Sequence, residues 1–225
     1  MAKNDSSSGK RYQVALVEDH PMFREHIGHL INRDLGMEVC GEADNIKDAM
    51  TLICEQKPDI AIVDITLRGS SGLELVKDLK AQNIDIPVLV LSMHDEDLYA
   101  ERSLRAGAKG YITKNEASSE VVKAIRKVMN GEVYVSKRMT ARLLERMTQK
   151  RSSSDIQGLA LLADRELEVF QMLGRGKSTH DIATALNLGE STVETYRARI
   201  KDKLQLRSAA ELYLRAGQWV RDHGA

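Results

Sequence analysis

The chain has 225 residues, 42% hydrophobic and 29% charged, with a formal net charge of zero. That is an ordinary globular composition, sized for one large or two small domains, and no apolar run approaches the roughly 20 residues a membrane-spanning helix needs. The zero conceals a polarity: residues 1–135 carry 17 basic against 22 acidic side chains and residues 136–225 carry 16 against 11, so a net −5 part precedes a net +5 part that suits a polyanionic partner.

Residues 1–10 are polar and Ser-rich and lack the apolar core of a secretory signal, so a disordered tail is expected there. Cys40 and Cys54 have no ligand-like spacing and read as reduced thiols of a cytoplasmic protein with no membrane partner.

From Tyr12 to Asn130 the pattern alternates. Apolar, β-branched runs at 12–17, 37–40, 59–63, 87–91 and 109–112 are continuous, as in strands buried on both faces. Amphipathic segments at helical spacing fill the gaps at about 21–33, 45–56, 72–82, 95–106 and 116–130. Asn45, Asp95 and Asn115 are expected N-caps, and Gly107 and Gly131 are expected stops. Five β-α repeats in series predict a parallel sheet with helices on both faces, spanning 11–132.

Beyond Gly131 the strand signal ends. Residues 133–158 read as a linker helix at 136–148 followed by a flexible linker, because Ser, Gly and charge cannot build a core. Residues 159–225 read as all-helical, with helices at 164–174, 178–186, 190–204 and 208–221. Ser178, Glu190 and Ser208 mark expected starts, and Gly174 and Gly189 expected turns.

In a doubly wound sheet the functional groups gather at the carboxyl edge of the strands. The first strand ends in Glu18-Asp19, the third in Asp64 and the fourth in Ser92, while Lys114 follows the fifth past Tyr111. Three carboxylates meeting there repel one another unless a cation intervenes. Carboxylates with a carbonyl and waters suit octahedral Mg²⁺. A carboxylate facing a metal and a lysine can act as a nucleophile toward a phosphoryl group, whose spreading charge the two cations offset. His20, His94 and His180 lack clustered partners in sequence and read as ordinary polar residues.

The pieces Val17-Glu18-Asp19-His20, Ile62-Val63-Asp64-Ile65, Leu91-Ser92 and Gly110-Tyr111-Ile112-Thr113-Lys114 resemble the receiver domain of two-component signalling. The resemblance implies a flavodoxin-like five-stranded sheet of order 2-1-3-4-5 and phosphorylation of Asp64 by a sensor histidine kinase. It implies Mg²⁺ held by Asp19, Asp64 and the Thr66 carbonyl, with Glu18 acting through water. Ser92 and Lys114 would bind the phosphoryl group, and Tyr111 would be an aromatic switch that turns inward on activation. The chain departs from the usual pattern in carrying Arg68 and Asn115 where prolines are common. The second departure removes an expected cis peptide.

Downstream, the run from Leu162 through Asp164-Arg165-Glu166-Leu167-Glu168, then Asp181-Ile182-Ala183 and Ser191-Thr192-Val193-Glu194-Thr195-Tyr196, resembles the DNA-binding domain of NarL/LuxR/FixJ regulators over about 60 residues. Independently of that, helices at 178–186 and 190–204 joined by Asn187-Leu188-Gly189 fit a helix-turn-helix whose second helix enters the major groove of double-stranded DNA. At about 100° per residue, Val193, Ile200 and Leu204 share the core face. Thr195, Ala198 and Arg199 are expected nearest base edges, with Thr192 beside them and Glu194 able to accept from a cytosine amine. Arg197, Lys201 and Lys203 are expected on phosphates. Leu212, Leu214, Trp219 and Val220 of the last helix form a candidate dimer face.

The expectation is a response-regulator transcription factor that dimerises when phosphorylated, with RNA polymerase as a further partner. It is not an enzyme beyond assisting phosphoryl transfer to, and hydrolysis from, its own aspartate. An aspartyl-phosphate phosphatase would need a second aspartate where Thr66 stands, and a flavodoxin relative would not place Glu18-Asp19 against an FMN phosphate. A regulator that binds DNA independently of phosphorylation is the remaining rival, and the intact acidic cluster disfavours it.

Overall fold

The computed structural model describes residues 11–68, 70–93, 96–148, 158–159 and 161–223. The expected tail at 1–10, most of the flexible linker, the expected cap Asp95 and His94 lie outside the described residues.

The chain begins with β1 (Tyr12–Val17), α1 (Pro21–Asn32), β2 (Met37–Ala43), α2 (Ile46–Gln56) and β3 (Ile60–Asp64). A two-residue hairpin follows at once, β4 (Thr66–Leu67) with β5 (Ser70–Ser71), then α3 (Gly72–Ala81). The remaining units are β6 (Val88–Ser92), α4 (Glu96–Ala106), β7 (Gly110–Thr113) and α5 (Lys114–Met129). The large sheet is parallel, in the order β2-β1-β3-β6-β7. Counting its long strands alone, this is the expected 2-1-3-4-5 order.

Alternation along each strand sorts the side chains. Val14, Leu16, Ile60, Ile62, Leu89 and Leu91 pack against α1 and α5 through Ile27, Ile31, Val121, Ile125 and Val128. Ala15, Val17, Ala61, Val63, Val88 and Val90 face Ile53 of α2, Leu75 and Leu79 of α3, and Tyr99 of α4. Both faces are therefore dry, which is why the strand sequences read as unbroken apolar runs.

Asn45 caps α2 by accepting from the Asp48 amide at 3.0 Å. Gly107 and Gly131 end α4 and α5 with φ of +124° and +82°. Asn115 is not a cap: α5 starts one residue earlier, at Lys114, after Thr113 in an extended conformation. The shift draws Lys114 itself into the first turn, with its ammonium inside the acidic site.

The linker helix is α6 (Lys137–Thr148). The helical domain comprises α7 (Asp164–Gly174), α8 (Thr179–Ala185), α9 (Glu190–Leu204) and α10 (Ala209–His223). The α8–α9 pair is the helix-turn-helix, its turn passing through Asn187 at φ +51°. Ser178 caps α8, and Ser208 accepts from the Glu211 amide at 3.1 Å. Gly174 acts as a packing residue and not as a turn: a Cβ there would meet the Ala216 carbonyl at 2.4 Å, so α7 and α10 approach closely. Phe170 and Trp219 seal that contact with ring centroids 6.4 Å apart.

The apolar core on the α3–α4 side continues into the helical domain through Leu159, Leu162, Leu167 and Phe170. Every residue from Asp164 to Gln171 is buried, charged ones included. One side of α7 packs on its own domain and the other on the sheet domain.

Candidate functional site

The carboxyl ends of β1 and β3 bring the acids together. Single ligand atoms of Glu18, Asp19, His20 and Asp64 all lie within 4.8 Å of one another. Glu18 and Asp64 are buried, and Asp19 is partly so. Lys114 Nζ reaches Glu18 Oε2 at 2.6 Å and Asp64 Oδ2 at 2.8 Å, and sits 4.6 Å from the Phe23 ring centre. One cation thus bridges two buried carboxylates.

The electrostatics follow from burial. Desolvation, reinforced by Glu18, pushes the Asp64 carboxyl up to about 7, against the pull of Lys114 and the Thr66 backbone amide. Asp19 is raised, chiefly by desolvation, with His20, Lys114 and Arg68 opposing. Desolvation works against the Lys114 charge, yet Asp64 and Glu18 outweigh it and hold the ammonium above its usual range. The site is a net-negative, partly compensated pocket, which is what a divalent cation completes.

The expected site residues fall as follows. Ser92 ends β6, one position past Leu91, the register partner of Asp64, and is fully buried. Tyr111 on β7 is buried, so its ring already points inward. Thr66 lends its amide to Asp64. Arg68 pairs with Asp44 at 3.3 Å and adds a cation at the mouth of the site.

The reading of His20 needs correction. Its Nδ1 lies 3.0 Å from Glu18 Oε1 and 2.8 Å from Asp19 Oδ1. The chain folds back after Asp19, so that the His20 amide also donates to Glu18 at 3.0 Å. His180 likewise has a partner, Glu190 at 2.8 Å.

Close to Asp64 the backbone is tight. A Cβ on Gly72 would stand 1.9 Å from the Asp64 carbonyl oxygen and 2.8 Å from Val63 Cγ1. Only glycine lets α3 start so near the acid. The β4–β5 hairpin that fills the interval is gripped from the helical domain: Arg165 Nη2 donates to the Leu67 carbonyl at 2.7 Å and to the Ser70 carbonyl, while Nη1 binds Glu168. Asp164 accepts from Lys77 at 2.8 Å and Arg102 at 3.2 Å, and Arg102 also binds the carbonyls of Leu162 and Leu159. Sequence reasoning missed these residues, since four charged positions in the first half of a helix normally face water.

On α9, Val193 and Ile200 are buried as expected and Leu204 is half-buried. Glu194, Thr195, Ala198, Arg199 and Asp202 are exposed together, while Thr192 and Lys201 are half-buried. Two expected phosphate contacts are engaged inside the domain. Arg197 donates to Thr179 at 2.9 Å, binds Glu194 and lies 5.3 Å over the Tyr213 ring. Lys203 pairs at 2.6 Å with Glu166, which also holds the Ala163 amide. Of the candidate dimer face, Leu212 and Trp219 are buried in the domain itself and Val220 is half-buried against its core, which leaves Leu214 alone exposed.

Comparison with known proteins agrees with both halves. Residues 14–126 match the response regulator receiver domain family, and residues 160–216 match the bacterial regulatory proteins of the luxR family. A putative transcriptional regulator of Pseudomonas aeruginosa is 36% identical over 200 residues, covering 89% of this chain and 94% of that protein. The virulence factors putative positive transcription regulator BvgA of Bordetella pertussis is 34% identical over the same shares of both chains. The crystal structure of a LuxR-family two-component response regulator from Aurantimonas superposes with a TM-score of 0.58 at 31% identity, covering 62% of this chain and all of the other. With an acidic strand-end pocket in one domain and an exposed helix-turn-helix in the other, the chain belongs to the NarL/FixJ-type response regulators, a receiver joined to a LuxR-type DNA-binding domain that regulates transcription.

Proposed function

We propose that Asp64 is the phosphoacceptor of this regulator and that a sensor histidine kinase is the donor. One observation carries the reading: Lys114 bridges Glu18 and Asp64 at 2.6 and 2.8 Å inside a buried acidic pocket. In the transfer, an Asp64 carboxylate oxygen attacks phosphorus while the bond from phosphorus to the kinase imidazole nitrogen breaks. The imidazole leaves with the electron pair, and an acyl phosphate remains on Asp64.

The donor set fits Mg²⁺: hard oxygen ligands, net negative charge, and acids raised by their own crowding. Asp19, Asp64 and the Thr66 carbonyl would hold the ion, with Glu18 assisting through water. When bound, it supplies positive charge that offsets the carboxylates and the phosphoryl oxygens. Lys114 keeps its ammonium beside the incoming phosphoryl group, and the Ser92 hydroxyl donates to it. Tyr111, buried on β7, is the aromatic switch of the receiver. The receiver assists the gain and loss of its own phosphoryl group and turns over no other substrate.

The exposed face of α9 reads DNA through Thr195, Ala198 and Arg199, with Thr192 and Glu194 at its margin and Lys201 on phosphate. Arg197 and Lys203 reach phosphate only by leaving their partners in the domain. Phosphorylated chains act as dimers on the DNA, in the cytoplasm, with RNA polymerase as the downstream partner.

The test is labelling by phosphoramidate and Mg²⁺, read on a phosphate-affinity gel. Wild type shifts and Asp64→Asn does not; a shift that persists in the variant places the phosphoryl group elsewhere.

A further inference from the structure

We infer that the DNA-binding domain restrains the phosphorylation of its own receiver, through a clasp in which Arg165 of α7 grips both arms of the β4–β5 hairpin beside the phosphoacceptor. This rests on Asp64 as the acceptor.

Four observations carry it. Arg165 is 4% exposed and donates to the carbonyls of Leu67 and Ser70, one on each arm of the hairpin. That hairpin starts two residues after Asp64 and contains Thr66, whose amide bonds Asp64. Any movement of the loop to admit a phosphodonor therefore pulls on the guanidinium. A second anchor, Asp164, is held by Lys77 of α3 and Arg102 of α4. Lastly, Glu168 is fully buried beside Arg165, within electrostatic reach of Asp64 and of Tyr99.

The clasp does not act by covering the DNA-reading surface. Thr195, Ala198 and Arg199 stay exposed while α7 is docked. Its action is on the receiver. Docking fixes the hairpin strands beside an aspartate that is 2% exposed. By linkage, whatever favours docking disfavours phosphorylation, and the reverse. The acyl phosphate carries about 1.5 to 2 negative charges where the Asp64 carboxylate carried one at most, and this gain, facing the buried Glu168 carboxylate, pushes the two domains apart.

The experiment is the initial rate of labelling of the full chain by phosphoramidate with Mg²⁺, a donor too small to need kinase docking. Arg165→Ala and Arg102→Ala are each expected to label about tenfold faster than the parent, the effect of losing one or two charge-assisted hydrogen bonds from the closed state. Arg165→Lys, which retains the charge and at most one of the two carbonyl contacts, is expected to fall between. A residue needed only for folding lowers the labelled yield and does not raise the rate. Arg102 lies on the receiver and leaves the Arg165–Glu168 pair of α7 intact, so its variant decides the matter even where Arg165→Ala misfolds. A parental rate in Arg102→Ala overturns the clasp. Asp64→Asn on the same gel separates the two ideas: loss of label keeps Asp64 as acceptor, whatever the clasp variants do.

Discussion

Replacing Lys114 by methionine removes the one ammonium that bridges Glu18 and Asp64 while keeping most of the side-chain volume. At an effective dielectric near 20, charges about 2.8 Å apart attract by about 6 kcal/mol each, before the desolvation of the partners is counted. Breaking a buried pair by deleting one member costs about 3–5 kcal/mol net, because the carboxylates left behind stay buried and uncompensated. Asp64 already sits at about 7, raised first by desolvation and then by Glu18; without Lys114 it rises further. A raised folded-state value means the folded chain holds the proton longer than the unfolded one. The associated stability is complete below the unfolded value near 4 and is lost as pH climbs through the folded value. The variant's deficit should therefore be small at pH 5 and clearly larger at pH 8, and added Mg²⁺ should recover part of it. Hydrogen exchange of β3 and β7 amides, in EDTA and then in Mg²⁺, reads the receiver apart from the helical domain. A deficit below about 1 kcal/mol at pH 8, or one of equal size at both pH values, refutes this account of the pocket.

Gly72→Ala drives a methyl into the Asp64 carbonyl at 1.9 Å; since backbone cannot yield there, thermal melts should show a loss of about 3 kcal/mol, and labelling should fall with it. Glu168 is pushed up to about 7 by desolvation, against Arg165, with Asp64 and Asp164 adding to the rise. The docked domains are therefore favoured in acid and loosen as pH rises through 7, so small-angle scattering should show the unphosphorylated chain expanding from pH 6 to pH 8, and Glu168→Gln should flatten that response. Arg197→Ala removes the contacts of α9 to Thr179 and Tyr213 and should cost about 1 kcal/mol of domain stability. Arg199→Ala should leave stability within about 0.5 kcal/mol but weaken DNA binding more in gel shifts; the opposite ranking rejects the division between a structural and a DNA-facing arginine.

The sheet domain was legible because its signals are local and redundant. Residues 14–17, 60–63 and 88–91 must be apolar on both faces, so they announce strands whatever surrounds them. The acidic site followed from topology, since Glu18-Asp19 and Asp64 end neighbouring strands. What stayed hidden depends on partners distant in sequence. Asp164, Arg165 and Glu168 look like a solvated helix face until Lys77, Arg102 and the Leu67 and Ser70 carbonyls arrive from 62 to 98 residues away. Arg197 and Lys203 read as free cations because charge alone does not show that Glu194 and Glu166 have claimed them. His20 is the one miss with a local signal: a histidine two residues after a buried acid can fold back onto it, as it does here.

The chemistry of the domain contact also bears on whether it can switch. To reverse an equilibrium from 1:99 to 99:1 takes about 5.5 kcal/mol of differential binding, so a docked state held far more tightly would be deaf to one phosphoryl group. An apolar interface gains about 25 cal/mol for each Å² removed from water and becomes hard to open once large. Here much of what α7 presents to the receiver is Asp164, Arg165 and Glu168. Buried ion pairs lose in desolvation most of what they gain in attraction, leaving specificity of fit with little net stability. Such an interface has one register, set by Arg165 on two carbonyls and Asp164 between two cations, and gains less from these charges than their number suggests. Charge added at Asp64 then acts beside a carboxylate that has no water to screen it.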